Sequence, residues 1–310
     1  VIGKVNNSND FYFDIENITK KYLSKFDVVI QLADFSNDPI DKLNPKLFYN
    51  RTKNYTIKIA KICKKLGIKF LYPSSCSVYG INNKELTEKS LTNPQTYYSK
   101  NKIEIEKGLK KLSDKNFVPI ILRLATVFGY SPRIRFDVVI NMLIGMGLTS
   151  KKIILNSDGQ AWRPHLFIDD VCVTIIELIK KKNLKNSYFP LNIGINHNNE
   201  KIINVAKLIK SKIKNCKLQY LSESIQNDLD QNLIKDRKIT NGKDKRSYKV
   251  NFNKLHKILK NVKFTKIEIG VQKTINDLKK NKINLKKFQQ REFYRLQQIE
   301  YLYKKGKLLV

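Results

Sequence analysis

Apolar and polar positions follow two rhythms along this chain. Short continuous apolar runs, as in Asp27–Ala33 (DVVIQLA), Lys69–Ser74 (KFLYPS) and Val118–Val127, suit strands buried on both faces. Phe11–Ile15 is a further short strand ahead of them. Between the runs, Pro45–Leu66 and Thr96–Lys115 carry apolar residues at helical spacing, and Gly67 is placed to cap the first of these. Such alternation predicts βα units wound about a parallel sheet. Beyond Gly129 the pattern shifts. It predicts helices over Phe136–Leu148, Asp169–Lys182 and Glu200–Ile213, and extended segments over Lys152–Leu155 and Phe189–Gly194. A polar loop then covers Glu223–Arg246, and a charged amphipathic helix with a solvated face covers Phe288–Lys307. No internal repeat or low-complexity linker separates the regions. The expected fold is α/β: a doubly wound parallel sheet with a smaller α/β region. Residues 1–129 form the first part with returns near 164–195, and residues 130–163 and 196–310 form the second part with the C-terminal helices.

The chain has 310 residues, 41% of them hydrophobic, enough for one large core or two smaller ones. No apolar run approaches the roughly 18 residues of a membrane span. The opening VIGKVNNSND lacks Met and lacks a basic start followed by an apolar stretch, so it reads as a fragment without a signal peptide. Four scattered cysteines (Cys63, Cys76, Cys172, Cys216) form no C-x-x-C pair, and the three histidines show no ligand spacing. That pattern argues against a metal site and for a reducing, cytoplasmic setting. The formal charge of +33 changes the picture less than its size suggests, because the lysines are spread evenly and accompany an excess of Asn and Ile. A solvated lysine surface accounts for it, with a polyanion-binding surface as the competing reading.

Candidate chemistry begins at Tyr98-Ser-Lys-Asn-Lys102. Residues four apart share a helical face, so a phenol and an ammonium can enter one site. A phenol with a pKa of about 10 is a poor base near neutrality, and a neighbouring cation lowers that value. Alone, Y-x-x-x-K occurs by chance in a chain this rich in Tyr and Lys. Its context adds weight: Pro73-Ser74-Ser75-Cys76-Ser77-Val78-Tyr79-Gly80 lies at the end of a predicted strand, where open α/β sheets bind ligands.

The order of these segments resembles the extended short-chain dehydrogenase/reductases, the NAD-dependent epimerase/dehydratase group that includes UDP-galactose 4-epimerase. The likeness rests on Asp14-Ile15, V-I-x-L-A at Val29–Ala33, S-S-x-S-V-Y-G, Y-x-x-x-K, R-L-A-T-V-F-G at Arg123–Gly129, W-R-P-x-x-x-I-x-D at Trp162–Asp170, and D-K-R-S-Y at Asp244–Tyr248. The resemblance implies a Rossmann-like fold, NAD as cofactor with NADP left open, and a nucleotide-sugar substrate. It makes Tyr98 the catalytic acid/base. Lys102 holds the nicotinamide ribose and lowers the tyrosine's pKa, and Ser75 hydrogen-bonds the reacting hydroxyl. Asp14 and Ile15 flank the adenine, Leu32 and Ala33 the middle of the cofactor, and Asn50 adds a contact. Thr126 lies near the nicotinamide or sugar, and Arg163 and Arg246 meet the nucleotide phosphates. Homodimerisation through Pro45–Leu66 and Thr96–Lys115 is also implied.

Two departures qualify the likeness. The family's first β-α-β portion, with its G-x-x-G-x-x-G phosphate loop, is not in the sequence. Gly145-Met-Gly147 does not replace it, being a packing feature of an apolar helix. The sugar 4,6-dehydratases of this family place an acidic pair after the catalytic hydroxyl, where this chain has Cys76 and Ser77. The expectation is therefore an epimerase acting through a transient ketosugar. A nucleotide-sugar ketoreductase or dehydrogenase is the alternative. A non-catalytic basic nucleotide- or RNA-binding protein is the reading from another class, with nucleic acid disfavoured by the intact Ser-Tyr-Lys set.

Overall fold

A computed structural model describes residues 14–35, 45–181, 189–220 and 246–307. At its centre four parallel strands stand in the order β1 (Val28–Ile30), β2 (Lys69–Ser75), β3 (Ile120–Leu124) and β6 (Phe189–Ile193). The registers pair Ile30 with Leu71, Ser75 with Leu124, and Leu124 with Ile193, so the carboxyl ends of neighbouring strands share one edge.

The sheet is covered on both sides because each strand alternates its side chains. On β2, Phe70 and Tyr72 face a core with α1 (Pro45–Leu66) and α2 (Tyr97–Leu112), built on Ile59, Cys63, Ile105 and Leu109. Leu71 points into the opposite core, where Val171 and Leu178 of α4 (Ile168–Lys180) meet Leu122 and Leu191. The expected parallel sheet with helices on both faces is what the chain builds.

A third core gathers residues beyond Gly129. There α3 (Val139–Ser150), the strand Lys152–Leu155, the helix Ile202–Lys212 and α5 (Ile267–Lys280) pack together. Gly145 and Gly147 are packing glycines here. A Cβ on the first would collide with the Phe288 ring, and one on the second would stand 2.8 Å from Ile213 Cδ1.

Several elements differ from the sequence expectation. Ile15 starts the 3-10 turn Ile15–Asn17 instead of ending a strand, because the Asp14 carboxylate accepts the Glu16 N–H at 2.9 Å and caps it. Residues 11–13 and most of the Glu223–Arg246 loop lie outside the described residues. The run Val118–Val127 is two strands. β3 ends at Leu124, and β4 (Thr126–Phe128) leaves the central sheet to pair with β5 (Trp162–Phe167). The C-terminal amphipathic helix is shorter than the expected Phe288–Lys307: α6 spans Arg295–Lys304, with Leu296, Gln298 and Ile299 on its buried face and Ile299 packed on Phe48 and Tyr49 of α1.

The cysteines differ sharply in environment. Cys63, Cys76 and Cys216 are buried, while Cys172 is exposed on α4. Desolvation pushes the Cys63 thiol up to about 12 and raises the other two buried thiols as well. A thiol reagent such as Ellman's is expected to label Cys172 rapidly in the native protein and the buried three only after unfolding. Rapid native labelling of a Cys172→Ser variant would contradict this packing.

Candidate active site

Thr96 starts α2 with a capping box, its hydroxyl accepting from Ser99 N while the Ser99 hydroxyl accepts from Thr96 N. This fixes the first turn, where Tyr98 sits half-buried against the cluster of Phe48, Tyr49 and Ile299. One turn later Lys102 points into the protein, its side chain 5% exposed. The ammonium lies 5.4 Å from the centre of the Tyr98 ring and 4.6 Å from that of Tyr72. It donates to Pro73 O at 2.6 Å and to Asp34 Oδ2 at 2.5 Å. Burial alone would lower the lysine's pKa. The Asp34 carboxylate, with the Tyr72 and Tyr98 phenols, instead holds it well above the usual range, so the group stays charged.

Ser75 closes β2 beside this group. Its hydroxyl oxygen accepts from Ser77 N at 3.1 Å, which leaves the hydroxyl able to donate to a further group. Ser74, one position earlier, faces the other way and donates to Glu106 Oε1 at 2.5 Å. Glu106 also receives a bidentate pair from Arg123, Nε to Oε1 at 3.1 Å and Nη2 to Oε2 at 2.7 Å. Arg123 Nη1 donates to Tyr79 Oη at 3.0 Å, and that hydroxyl donates to Asn192 Oδ1 at 2.7 Å. Tyr98, Lys102 and Glu106 therefore form one stripe on α2, and the last of them locks the helix to β2, β3 and β6. Sequence reasoning passed over Glu106 and Asp34. Four-residue spacing from Lys102 could have revealed the first.

Of the other expected site residues, Leu32, Ala33 and Thr126 follow the carboxyl ends of β1 and β3, while Asn50, Asp14, Arg163 and Arg246 lie elsewhere in the fold. Leu32 is 67% exposed and Ala33 is exposed just past β1, with Tyr55 Oη donating to Ala33 O at 2.8 Å. Thr126 opens β4 two residues beyond the end of β3, paired in register with His165. Burial, reinforced by the Arg163 charge, holds the His165 pKa down at about 3, so that imidazole is neutral. Asn50 is exposed on α1. Asp14 caps its turn 3.9 Å from Arg51 Nη2. Arg163 is buried, donating to Trp162 O at 2.8 Å and to Arg246 O, with its guanidinium 5.2 Å from the Tyr248 ring centre. Its visible work is to hold the backbone that carries Arg246. Cys76 is buried with Sγ 3.1 Å from Arg123 O, and desolvation pushes its thiol upward.

The sequence model for "NAD dependent epimerase/dehydratase family" matches residues 6–194. The chain belongs to this family. Among curated relatives, dTDP-D-glucose 4,6-dehydratase of Dictyostelium discoideum is 29% identical over 194 residues, covering 58% of this chain and 43% of that protein. The uncharacterized UDP-glucose epimerase YtcB of Bacillus subtilis (strain 168) is 30% identical over 129 residues, covering 41% and 40%. The matches thus span less than half the length of these relatives. Among solved structures, UDP-glucuronic acid 4-epimerase from Bacillus cereus, in complex with UDP-glucuronic acid and NAD, superposes with a TM-score of 0.71. That match has 22% identity and covers 87% of this chain and 81% of that one. The likeness confirms the α/β fold that the sequence predicts for this epimerase/dehydratase family member.

Proposed function

We propose that the protein is an NAD(P)-dependent epimerase of nucleotide sugars, working through a transient ketosugar with Tyr98 as acid/base. One observation carries this reading: Tyr98 and a charged, buried Lys102 stand together at the carboxyl edge of the parallel sheet, with Ser75 ending the adjacent strand. The exposed Leu32 and Ala33 past β1 fit the passage of a dinucleotide along that edge, and Lys102 fits its nicotinamide ribose. Bound NAD would supply the acceptor for a hydride from the sugar carbon and return that hydride in the second half-reaction. Tyr98, as phenolate, takes the proton of the sugar hydroxyl, and the C–O bond becomes a carbonyl as the carbon's hydride departs. Ser75 donates to the oxygen and orients it. When the hydride returns on the opposite face, Tyr98 gives the proton back, and no net oxidation results.

The epimerase reading is favoured over dehydration by Cys76 and Ser77. A buried thiol held against Arg123 O and a serine hydroxyl cannot move a proton at the neighbouring carbon as a carboxyl does. A ketoreductase of the same family would share every residue named so far and differ in releasing its cofactor at each turnover. The Thr126, Arg163 and Arg246 region would hold the nucleotide and sugar. Pairing with a second copy through α1 and α2 belongs to the same reading, across the groove lined by Lys53, Ile57, Lys61, Ile62 and Gly108. No helix among the described residues is long and apolar enough to cross a membrane.

The test is to purify the protein, assay it for bound NAD(H), and incubate it with UDP-, GDP- and dTDP-sugars. Interconversion of C4 epimers without net cofactor consumption is expected. Stoichiometric consumption of NADH or NADPH with a ketosugar would replace the epimerase by the reductase. Salt-sensitive RNA binding with no cofactor bound would replace both.

A further inference from the structure

Asp34 lies one residue beyond the V-I-x-L-A segment, and its side chain is 7% exposed. One carboxylate oxygen, Oδ2, is engaged by the Lys102 ammonium at 2.5 Å. The other, Oδ1, is sealed from solvent and has no hydrogen-bond partner. Buried acceptors in folded proteins are nearly always paired, and a charged one pays the largest penalty when it is not. A structural ion pair with Lys102 leaves that demand unmet, since it uses only one oxygen.

Because Oδ1 is covered in the unliganded chain, a ligand group that satisfies this arrangement must displace that cover, donate to Oδ1 and accept from the neighbouring ammonium. Phosphate and carboxylate cannot, because they bring only acceptors and a charge that Asp34 repels. A pair of vicinal hydroxyls can, since each is both donor and acceptor. We propose that Asp34 is a positioning residue whose Oδ1 accepts a hydrogen bond from a ribose cis-diol while its Oδ2 holds the Lys102 ammonium beside the same diol. The assignment rests on the oxidoreductase reading above, in which the diol is that of the nicotinamide ribose.

The second half of the role has a pH signature. The groups around the ammonium are Asp34 after β1, Tyr72 on β2 and Tyr98 on α2; Tyr55 of α1 and Arg295 of α6 lie near Asp34. Desolvation pulls the lysine's pKa down, and Asp34 is the first influence that raises it. Replacing Asp34 by Asn removes that influence and leaves desolvation, so Lys102 loses its proton at lower pH. A purely structural ion pair would move the same titration, so the analogue lacking one hydroxyl is what separates the two roles.

The experiment is a fluorescence titration of the protein with NADH between pH 7 and 9.5, for wild type and Asp34→Asn. An NADH analogue lacking one nicotinamide-ribose hydroxyl is titrated alongside, and melting temperatures are recorded without ligand. Wild type is expected to bind NADH with flat pH dependence and to prefer it over the analogue about tenfold. Asp34→Asn is expected to bind NADH about tenfold more weakly at pH 7, to weaken further as pH rises, and to lose the preference. An unchanged affinity and pH profile in Asp34→Asn would overturn the proposal while leaving the oxidoreductase reading in place. If that variant does not fold, a wild type indifferent to the missing hydroxyl overturns the proposal by itself. Failure of the wild type to bind NADH at all would overturn both.

Discussion

Tyr98→Phe is expected to cut turnover of the nucleotide-sugar substrate by roughly a thousandfold, the scale of losing a positioned acid/base. The substitution keeps the ring, and the ring is what packs against the cluster of Phe48, Tyr49 and Ile299. The fold, the buried Lys102 and its ion pair with Asp34 should therefore survive, and NADH affinity should change little. The loss should appear in kcat, because only the proton's destination has been removed. Steady-state kinetics on the purified variant decide the matter. Residual turnover within tenfold of wild type would take the acid/base role away from Tyr98 and leave the lysine–aspartate pair as a binding device.

The chemistry at this site was legible where its parts are local. Tyr98 and Lys102 sit four apart on a helix whose apolar spacing marks it from Thr96 onward, and β2 announces itself as a continuous apolar run. Asp34 could not be read, because what gives it meaning is a lysine 68 positions away. The strand Trp162–Phe167 escaped for a different reason: it mixes Arg, Pro and His with apolar residues, yet residues from Arg163 onward are buried, with the Arg163 guanidinium donating to backbone carbonyls. The helix Ile267–Lys280 carries Ile267, Val271, Ile275 and Leu278 at helical spacing, yet its lysines and the surrounding ones flatten the contrast on which such a stripe depends. Charge density, in this chain, hides amphipathic helices more than it reveals a binding surface.

Glu106 is where fold and site are joined, and Glu106→Ala is expected to cost about 3–5 kcal/mol, the scale of breaking a buried ion pair by removing one partner. The carboxylate and guanidinium are 3% and 6% exposed, so the variant strands the Arg123 charge, and Ser74 loses its acceptor as well. Despite desolvation, the Glu106 hydrogen bonds and charge hold the Arg123 guanidinium above its ordinary pKa, and it cannot escape by deprotonating. A fall in melting temperature of roughly 5–10 °C follows. Adding Arg123→Met should recover part of that loss, because the stranded charge goes with it; a double variant no more stable than Glu106→Ala would mean that packing, not charge, dominates here. The catalytic consequence separates the two further. Glu106 follows Lys102 by one turn and Tyr98 by two, and it ties that stripe to Arg123 on β3 and Ser74 on β2. A double variant that regains stability but not kcat would show that the network sets the angle of the catalytic helix as well as its adherence to the sheet.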